Sequence, residues 1–220
     1  MNNWEQGFQH KYILTSEELA DLCGTTENGI KENLNQSESL CIRGGKTGIY
    51  PSVVKKFLKK NGIDYSCQVL AIVNMRGGIG KTTASISTAT RAKQYGFKTC
   101  IIDMDPQGST TLAFDMTPEA DEPIFYDIWQ KPDEMVMGTI KKIDEDLYII
   151  PSSLENGLLD ASLINPSHQK NAVNDVCNVL KANGFEMIII DNPPSLGTAV
   201  ISSVCAADTI VVPMFSDAFS

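Results

Sequence analysis

Short apolar runs separated by polar, glycine-closed stretches pattern the chain from about residue 67 onward. Residues 69–73, 98–107, 147–151, 186–191 and 208–213 each carry a short apolar run, which reads as buried strands. Between them, residues 82–95 are rich in Ala and Ser and closed by Gly96. Residues 154–163 and 172–183 also read as helices, the latter closed by Gly184. Residues 118–143 are polar and interrupted, with a short amphipathic helix expected at 125–129 whose aromatics face a core. Strands alternating with helices predict an α/β fold, a mostly parallel sheet with helices on both faces.

The first 66 residues pattern differently. Thr15, Ser16, Glu17 and Glu18 form a capping-box sequence before apolar Leu19, Ala20 and Leu22. Cys23, Gly24 and Thr25 make a turn, and a second helix is expected over 26–34 with Ile30 and Leu34 inward. Residues 43–48 read as a hairpin wing. Pro51 opens a third helix with Val53, Val54, Phe57 and Leu58 on its apolar face, and Asn61 and Gly62 close it. A small helical domain at 1–66 followed by an α/β domain at 67–220 is the expected organisation. Helix, turn, helix and wing suit either a DNA reader or a small helical adaptor.

Composition narrows the class. With 42% hydrophobic and 20% charged residues over 220 positions, the chain reads as soluble and globular. No apolar run approaches a membrane span, and no basic-then-apolar leader opens the sequence. The six cysteines are scattered without a C-x-x-C pair, as expected of reduced thiols in a cytoplasmic protein. The net charge of −9 is uneven. Residues 1–66 carry eight basic and eight acidic groups, leaving 18 − 8 = 10 basic and 27 − 8 = 19 acidic groups for 67–220. No acid lies between Ser39 and Ile63, a local basic stretch compatible with nucleic acid. Within the small domain, Thr26, Asn28 and Lys31 would face a groove, with Arg43 and Lys46 at the wing tip.

The sharpest chemistry follows the first apolar run. Arg76, Gly77, Gly78, Ile79, Gly80, Lys81, Thr82 and Thr83 join a strand to a helix start. Glycines let backbone N–H groups point at oxygens, the helix N-terminus and Lys81 supply positive charge, and the Thr82 hydroxyl can hold Mg²⁺. Met75 stands where the usual phosphate-loop pattern has its first glycine. Gly44, Gly45, Lys46 and Thr47 mimic this loop without its spacing and read as the hairpin tip. Asp103 and Asp105 end the second apolar strand, where alternation puts both on one side, and Asp191 ends the fourth. In an open α/β sheet, ligands bind at such strand ends.

The run 76–83 resembles the deviant Walker A motif of the ParA/MinD family of ATPases. Arg76 stands where that family has a signature lysine that reaches across a nucleotide-sandwich dimer. Asp103, Asp105, Pro106, Gln107, Gly108, Ser109, Thr110 and Thr111 resemble the family's Walker A′ and switch I segment. Pro151 and Ser152 match a strand ending of the family, and Asp191, Asn192, Pro193 and Pro194 resemble its Walker B and switch II. The resemblance implies ATP and Mg²⁺ as cofactors, with Asp105 orienting water and Thr82, Asp103, Asp105 and Asp191 around the metal. Pro213 and Met214 would lie near adenine, and no guanine-reading motif occurs. It further implies an ATP-dependent homodimer, non-specific DNA, nucleoid association, a ParB-like adaptor and slow turnover in DNA partition. No membrane partner is implied. Residues 1–66 resemble the winged helix-turn-helix domain of plasmid-type ParA proteins, which binds operator DNA and can autoregulate an operon. Family members continue with further helices and at least one strand beyond the point matching Ser220, so 67–220 is expected to be an incomplete ATPase domain. The competing readings are an ATP-responsive transcriptional regulator and a MinD-like positioning ATPase. A nitrogenase-reductase-like protein would need cluster-binding cysteines, whereas Cys100, Cys177 and Cys205 read as core.

Overall fold

The computed structural model describes residues 12–42 and 44–214. They belong to two compact units, one formed by Met1–Tyr65 with Thr90–Phe97, the other by Ser66–Ala89 with Lys98–Ser220. Among the described residues no helix is long and apolar enough to cross a membrane.

In the smaller unit, β1 (Leu14–Thr15) leads directly into α1 (Ser16–Cys23), followed by α2 (Glu27–Glu32), β2 (Ser39–Cys41), β3 (Thr47–Ile49) and α3 (Pro51–Lys60). The strands form an antiparallel sheet in the order β1-β3-β2. The capping box is present. Glu18 N donates to Thr15 Oγ1 at 3.2 Å, and Thr15 N donates to Glu18 Oε2 at 2.9 Å, a pairing of about 1 kcal/mol. The second helix is shorter than its expected 26–34. Asn33 Nδ2 donates back to Gly29 O at 2.8 Å, an amide competing with the next helical turn. Leu14, Leu19, Ile30, Ile49, Val53, Val54 and Leu58 make a small core. Gly48 has to be glycine there, since a Cβ would come within 2.7 Å of the Ile13 side chain. Tyr65 stacks on Phe97 with centroids 4.2 Å apart, and its hydroxyl donates to Tyr95 O at 2.6 Å.

The larger unit holds β4 (Gln68–Ile72), β5 (Thr99–Asp103), β6 (Lys141–Asp144), β7 (Leu147–Ile150), β8 (Met187–Asp191) and β9 (Thr209–Val211) in one sheet ordered β6-β7-β5-β8-β4-β9. All pairings are parallel except β6 with β7. Its helices are α4 (Lys81–Gln94, whose last residues count with the smaller unit), α5 (Ser109–Ala113), α6 (Phe125–Ile128), α7 (Pro132–Thr139), α8 (Leu159–Ser162), α9 (Pro166–Ala182) and α10 (Thr198–Ala206). Cys100, Ile102, Ile188 and Ile190 join the core with Phe125, Val173, Val176 and Leu180, and the alternate positions Ala71, Ile101, Ile149 and Ile189 are also fully buried. Burial on both faces is why these strands read as unbroken apolar runs.

Several expectations need correcting. Residues 208–213 form no interior strand: β9 is a sheet edge, and Ile210 is 48% exposed. The polar stretch 118–143 contains α7 and the antiparallel β6, which pairs with β7 on either side of Asp146 at φ 57°. Residues 154–163 split into a 3₁₀ turn (Leu154–Leu158) and the short α8. Helix α9 starts at Pro166 rather than 172, with Asn165 Oδ1 accepting Ser167 N at 2.9 Å. The strand β5 stops at Asp103, so Asp105 belongs to the following turn and does not share a strand face with it.

Candidate active site

Chain order and sheet order diverge at the centre of the larger unit. The chain leaves β4, skips over β8 to form β5, returns to β8 and crosses β4 to reach β9. The loops after β4, β5 and β8 therefore lie at the C-terminal ends of three adjacent parallel strands, the place where open α/β sheets hold their ligands. The register places Asp103 and Asp191 as direct partners at the tips of β5 and β8.

The loop after β4 is shaped by backbone angles. Gly78 and Gly80 have φ of 73° and 92°, a region costly for other residues, and a Cβ on either would meet nothing within 4 Å. Conformation rather than crowding demands glycine here. Lys81 opens α4, and although buried its Nζ donates to Arg76 O at 3.1 Å. A buried ammonium on a neutral carbonyl fits a neighbouring anion. Arg76 and Thr83 are exposed, Gly77 lies on the open side and Ile79 is buried. Asn74, absent from the sequence reading, braces the loop. Its Oδ1 accepts Arg76 N and its Nδ2 donates to Pro213 O, both at 2.8 Å. That bond brings Pro213 to the loop, while Met214 is exposed.

Asp191 is 1% exposed and ringed by hydroxyls. Thr82 Oγ1 donates to its Oδ2 at 2.9 Å, Thr110 Oγ1 to the same oxygen at 2.7 Å, and Ser85 Oγ to Oδ1 at 3.0 Å. Ser85 Oγ also lies 3.1 Å from Lys81 O, and its one proton serves the charged acceptor better. Hydrogen bonds to a charged group contribute about 1.5–3 kcal/mol each, which offsets much of the burial cost. Burial still pushes the Asp191 carboxyl up, the three hydroxyls pull it down, and the charge of Asp105 raises it further.

Asp103 is committed elsewhere. Its Oδ2 accepts Thr111 N at 2.9 Å and Thr111 Oγ1 at 2.7 Å, and its Oδ1 accepts Asp105 N at 3.2 Å. Burial raises its pKa to about 7, against the pull of the Thr111 hydroxyl and amide, and Asp191 adds to the rise. Asp105 is half-buried, with Oδ1 accepting Gln107 N at 3.0 Å. Its backbone is fixed by Ser152, whose Oγ donates to Asp105 O at 2.7 Å. Asn156 Nδ2 in turn donates to Ser152 Oγ at 2.8 Å, and Asn156 Oδ1 accepts Tyr126 N at 3.0 Å. The sequence carries no signal for Ser85 or Asn156, and it places Thr110 and Ser152 in motif segments without assigning either a contact.

The structure thus joins Thr82 to Asp191, turns the neighbouring Lys81 back onto the glycine loop, and holds Asp105 on a braced turn close enough to act on Asp191. Among the described residues no three of His, Cys, Asp and Glu surround one metal position. The oxygen donors fit a small hard cation that takes few protein ligands and keeps water or phosphate in its shell, as Mg²⁺ does.

Of the DNA-facing residues expected in the smaller unit, Thr26, Asn28 and Lys31 lie in α2 or at its N-cap and Lys46 in the turn between β2 and β3. Thr26 caps α2 by accepting Gly29 N at 3.2 Å, and Asn28 is exposed. Lys31 pairs with Glu27 at 2.7 Å and Lys46 with Glu17 at 3.2 Å. Arg43 lies outside the described residues.

Residues 67–220 match the model of the family described as AAA domain. The chain is 29% identical over 154 residues to the chromosome partitioning protein ParA of Caulobacter vibrioides, covering 70% of this chain and 58% of that protein. It is 31% identical over 147 residues to the sporulation initiation inhibitor protein Soj of Bacillus subtilis, covering 67% and 58%. Its fold matches cobyrinic acid a,c-diamide synthase from Mycobacterium smegmatis, solved with bound ATP analog and magnesium, at TM-score 0.60 and 28% identity, covering 67% of this chain and 60% of that one. The chain spans about three-fifths of the length of these proteins.

Proposed function

The chain belongs to the AAA-domain family, and from that premise we propose that it is a magnesium-dependent ATPase of the DNA-partition type. One observation carries the reading: the positive-φ glycine loop folds Lys81 Nζ back onto Arg76 O and leads into Thr82, which donates to the buried Asp191 at the strand ends. The M. smegmatis structure with its ATP analog and magnesium supports the choice of ligand. The partition activity is supported by the ParA and Soj relatives.

Residues 77–83 would hold the phosphates, Lys81 offsetting their charge and Thr82 offering its hydroxyl to the metal. Bound Mg²⁺ would supply charge neutralisation at the β- and γ-phosphates. Asp105 would orient the attacking water, its turn kept in place by Ser152. Asp191 would act on the metal side through Thr82, and Asp103 would hold α5 through Thr111. Catalysis of this kind is positioning and electrostatics, so turnover is slow until a partner completes the site. Arg76 would reach the phosphates of a second copy in an ATP-dependent dimer, its guanidinium replacing a lysine's point charge with a bidentate fork. Pro213 and Met214 would border the adenine.

The partners follow from the same reading: a ParB-like adaptor, non-specific DNA in the nucleoid, and operator DNA at residues 1–66 through Thr26, Asn28, Lys31, Arg43 and Lys46. A second reading, an ATP-responsive transcriptional regulator, is supported by the succession of α1, α2 and the β2–β3 hairpin in the smaller unit. The test is an Asp105→Ala protein, which should bind ATP like the unsubstituted chain and lose hydrolysis. Normal turnover would exclude the role given to Asp105.

A further inference from the structure

The buried tip of β8 carries a contact that the phosphate loop and the acids leave unexplained. Thr110 is fully buried in α5, five residues beyond Asp105 on the same braced segment. Its neighbour Thr111 serves Asp103, while Thr110 itself serves Asp191, so consecutive threonines each satisfy one of two carboxylates paired across β5 and β8. The oxygen that Thr110 reaches, Asp191 Oδ2, is also the acceptor for Thr82.

A carboxylate oxygen offers two lone-pair sites. On Oδ2 both are taken, one by Thr82 and one by Thr110. The Thr82 proton therefore points at Asp191, and its lone pairs turn away from the carboxylate, free for a hard cation. In this arrangement Asp191 orients Thr82 rather than meeting the cation through Oδ2. Without Thr110, Oδ2 would have a vacant site, and only Ser85 on Oδ1 and Thr82 itself would restrain the carboxylate against rotation about its last bond. The link also runs the other way, since Thr110 ties α5 and the Asp105 turn to the start of α4.

We propose that Thr110 is a positioning residue for the metal side of the nucleotide site, holding Asp191 so that Thr82 presents its lone pairs to Mg²⁺ while the Asp105 turn stays in register. The proposal rests on the ATPase reading above. Thr110→Val keeps the shape and removes the hydroxyl, and Thr110→Ser keeps the hydroxyl.

ATP affinity is measured for the 220-residue chain with EDTA and with Mg²⁺, alongside turnover. For Thr110→Val, the EDTA affinity should stay within about twofold of the unsubstituted chain, while the gain from Mg²⁺ falls about tenfold, or about 1.4 kcal/mol. Its kcat should fall by a similar factor, and Thr110→Ser should recover both to within about twofold. An unchanged Mg²⁺ gain in Thr110→Val would overturn the proposal, as would a serine variant as impaired as the valine one. An equal loss of affinity in EDTA would make the residue merely structural and overturn it too. If the unsubstituted chain binds no ATP in either condition, the ATPase reading falls, and the role of Thr110 with it.

Discussion

Lys81, Asp103 and Asp105 differ in how far a sequence reveals them. Lys81 was legible because a lysine after a glycine loop at a strand–helix junction has few other uses, and its buried Nζ on a backbone carbonyl is consistent with that. Alternation places Asp103 and Asp105 on one face, and only the family resemblance gives Asp105 the water-orienting role. The structure separates them, because β5 ends between them and Thr111, eight residues from Asp103, claims one carboxylate and leaves the other. Such partner choice depends on where α5 sits, which local pattern does not encode. The pH response follows from Asp103, whose pKa rises from 3.8 to about 7 on burial. Its protonated form favours the folded state, so this contribution is full below pH 4 and is lost as pH rises through 7. Asp103→Asn should therefore lose less stability than the unsubstituted chain between pH 4 and pH 7 without nucleotide, by roughly 1–4 kcal/mol in urea unfolding. Parallel pH profiles for the two proteins would contradict the assignment.

Elements were legible where burial on both faces or a cap announced them. The strands β4 and β8 and the helices α1 and α4 fall within a residue or two of expectation, whereas β5 starts as expected and stops at Asp103. The misses share a cause. In α7, β6 and the first turn of α9 the exposed positions outnumber the buried ones, so no period stands out, and tertiary contacts decide the state. The loop after β8 shows a contact that no pattern foretells. Asp160 Oδ1 in α8 accepts Ala199 N at 3.2 Å, capping α10 from outside, and a Cβ on Gly197 would lie 2.1 Å from Asp160 Oδ2. Gly197→Ala should cost about 1–3 kcal/mol in thermal or urea unfolding. The same change in an Asp160→Ala background should cost under about 1 kcal/mol. Equal costs in both backgrounds would show that the contact does not set the requirement for glycine.

At the scale of the molecule, charge and contacts divide the chain in different ways. Charge divides near residue 66, with all the net −9 on the later side. Contacts instead assign Thr90–Phe97, the end of α4 and its turn, to the smaller unit, where Tyr65 stacks on Phe97. A linear reading of domains has no means of finding such a discontinuous unit. Deleting residues 1–66 should abolish sequence-specific DNA binding in a gel-shift assay, and an unaffected shift would move that property elsewhere. The deletion should also lower the melting temperature, since it uncovers Phe97 and removes the partner of Tyr95 O. Everything proposed for the larger unit depends on its strand-end loops taking Mg·ATP. The most direct measurement is equilibrium binding of ATP in Mg²⁺ to the 220-residue chain and to its Lys81→Ala variant. The account expects saturable binding by the first and an affinity at least ~100-fold weaker, or about 2.7 kcal/mol, for the second. Equal affinity in the two proteins, or no binding by the unsubstituted chain, would contradict it.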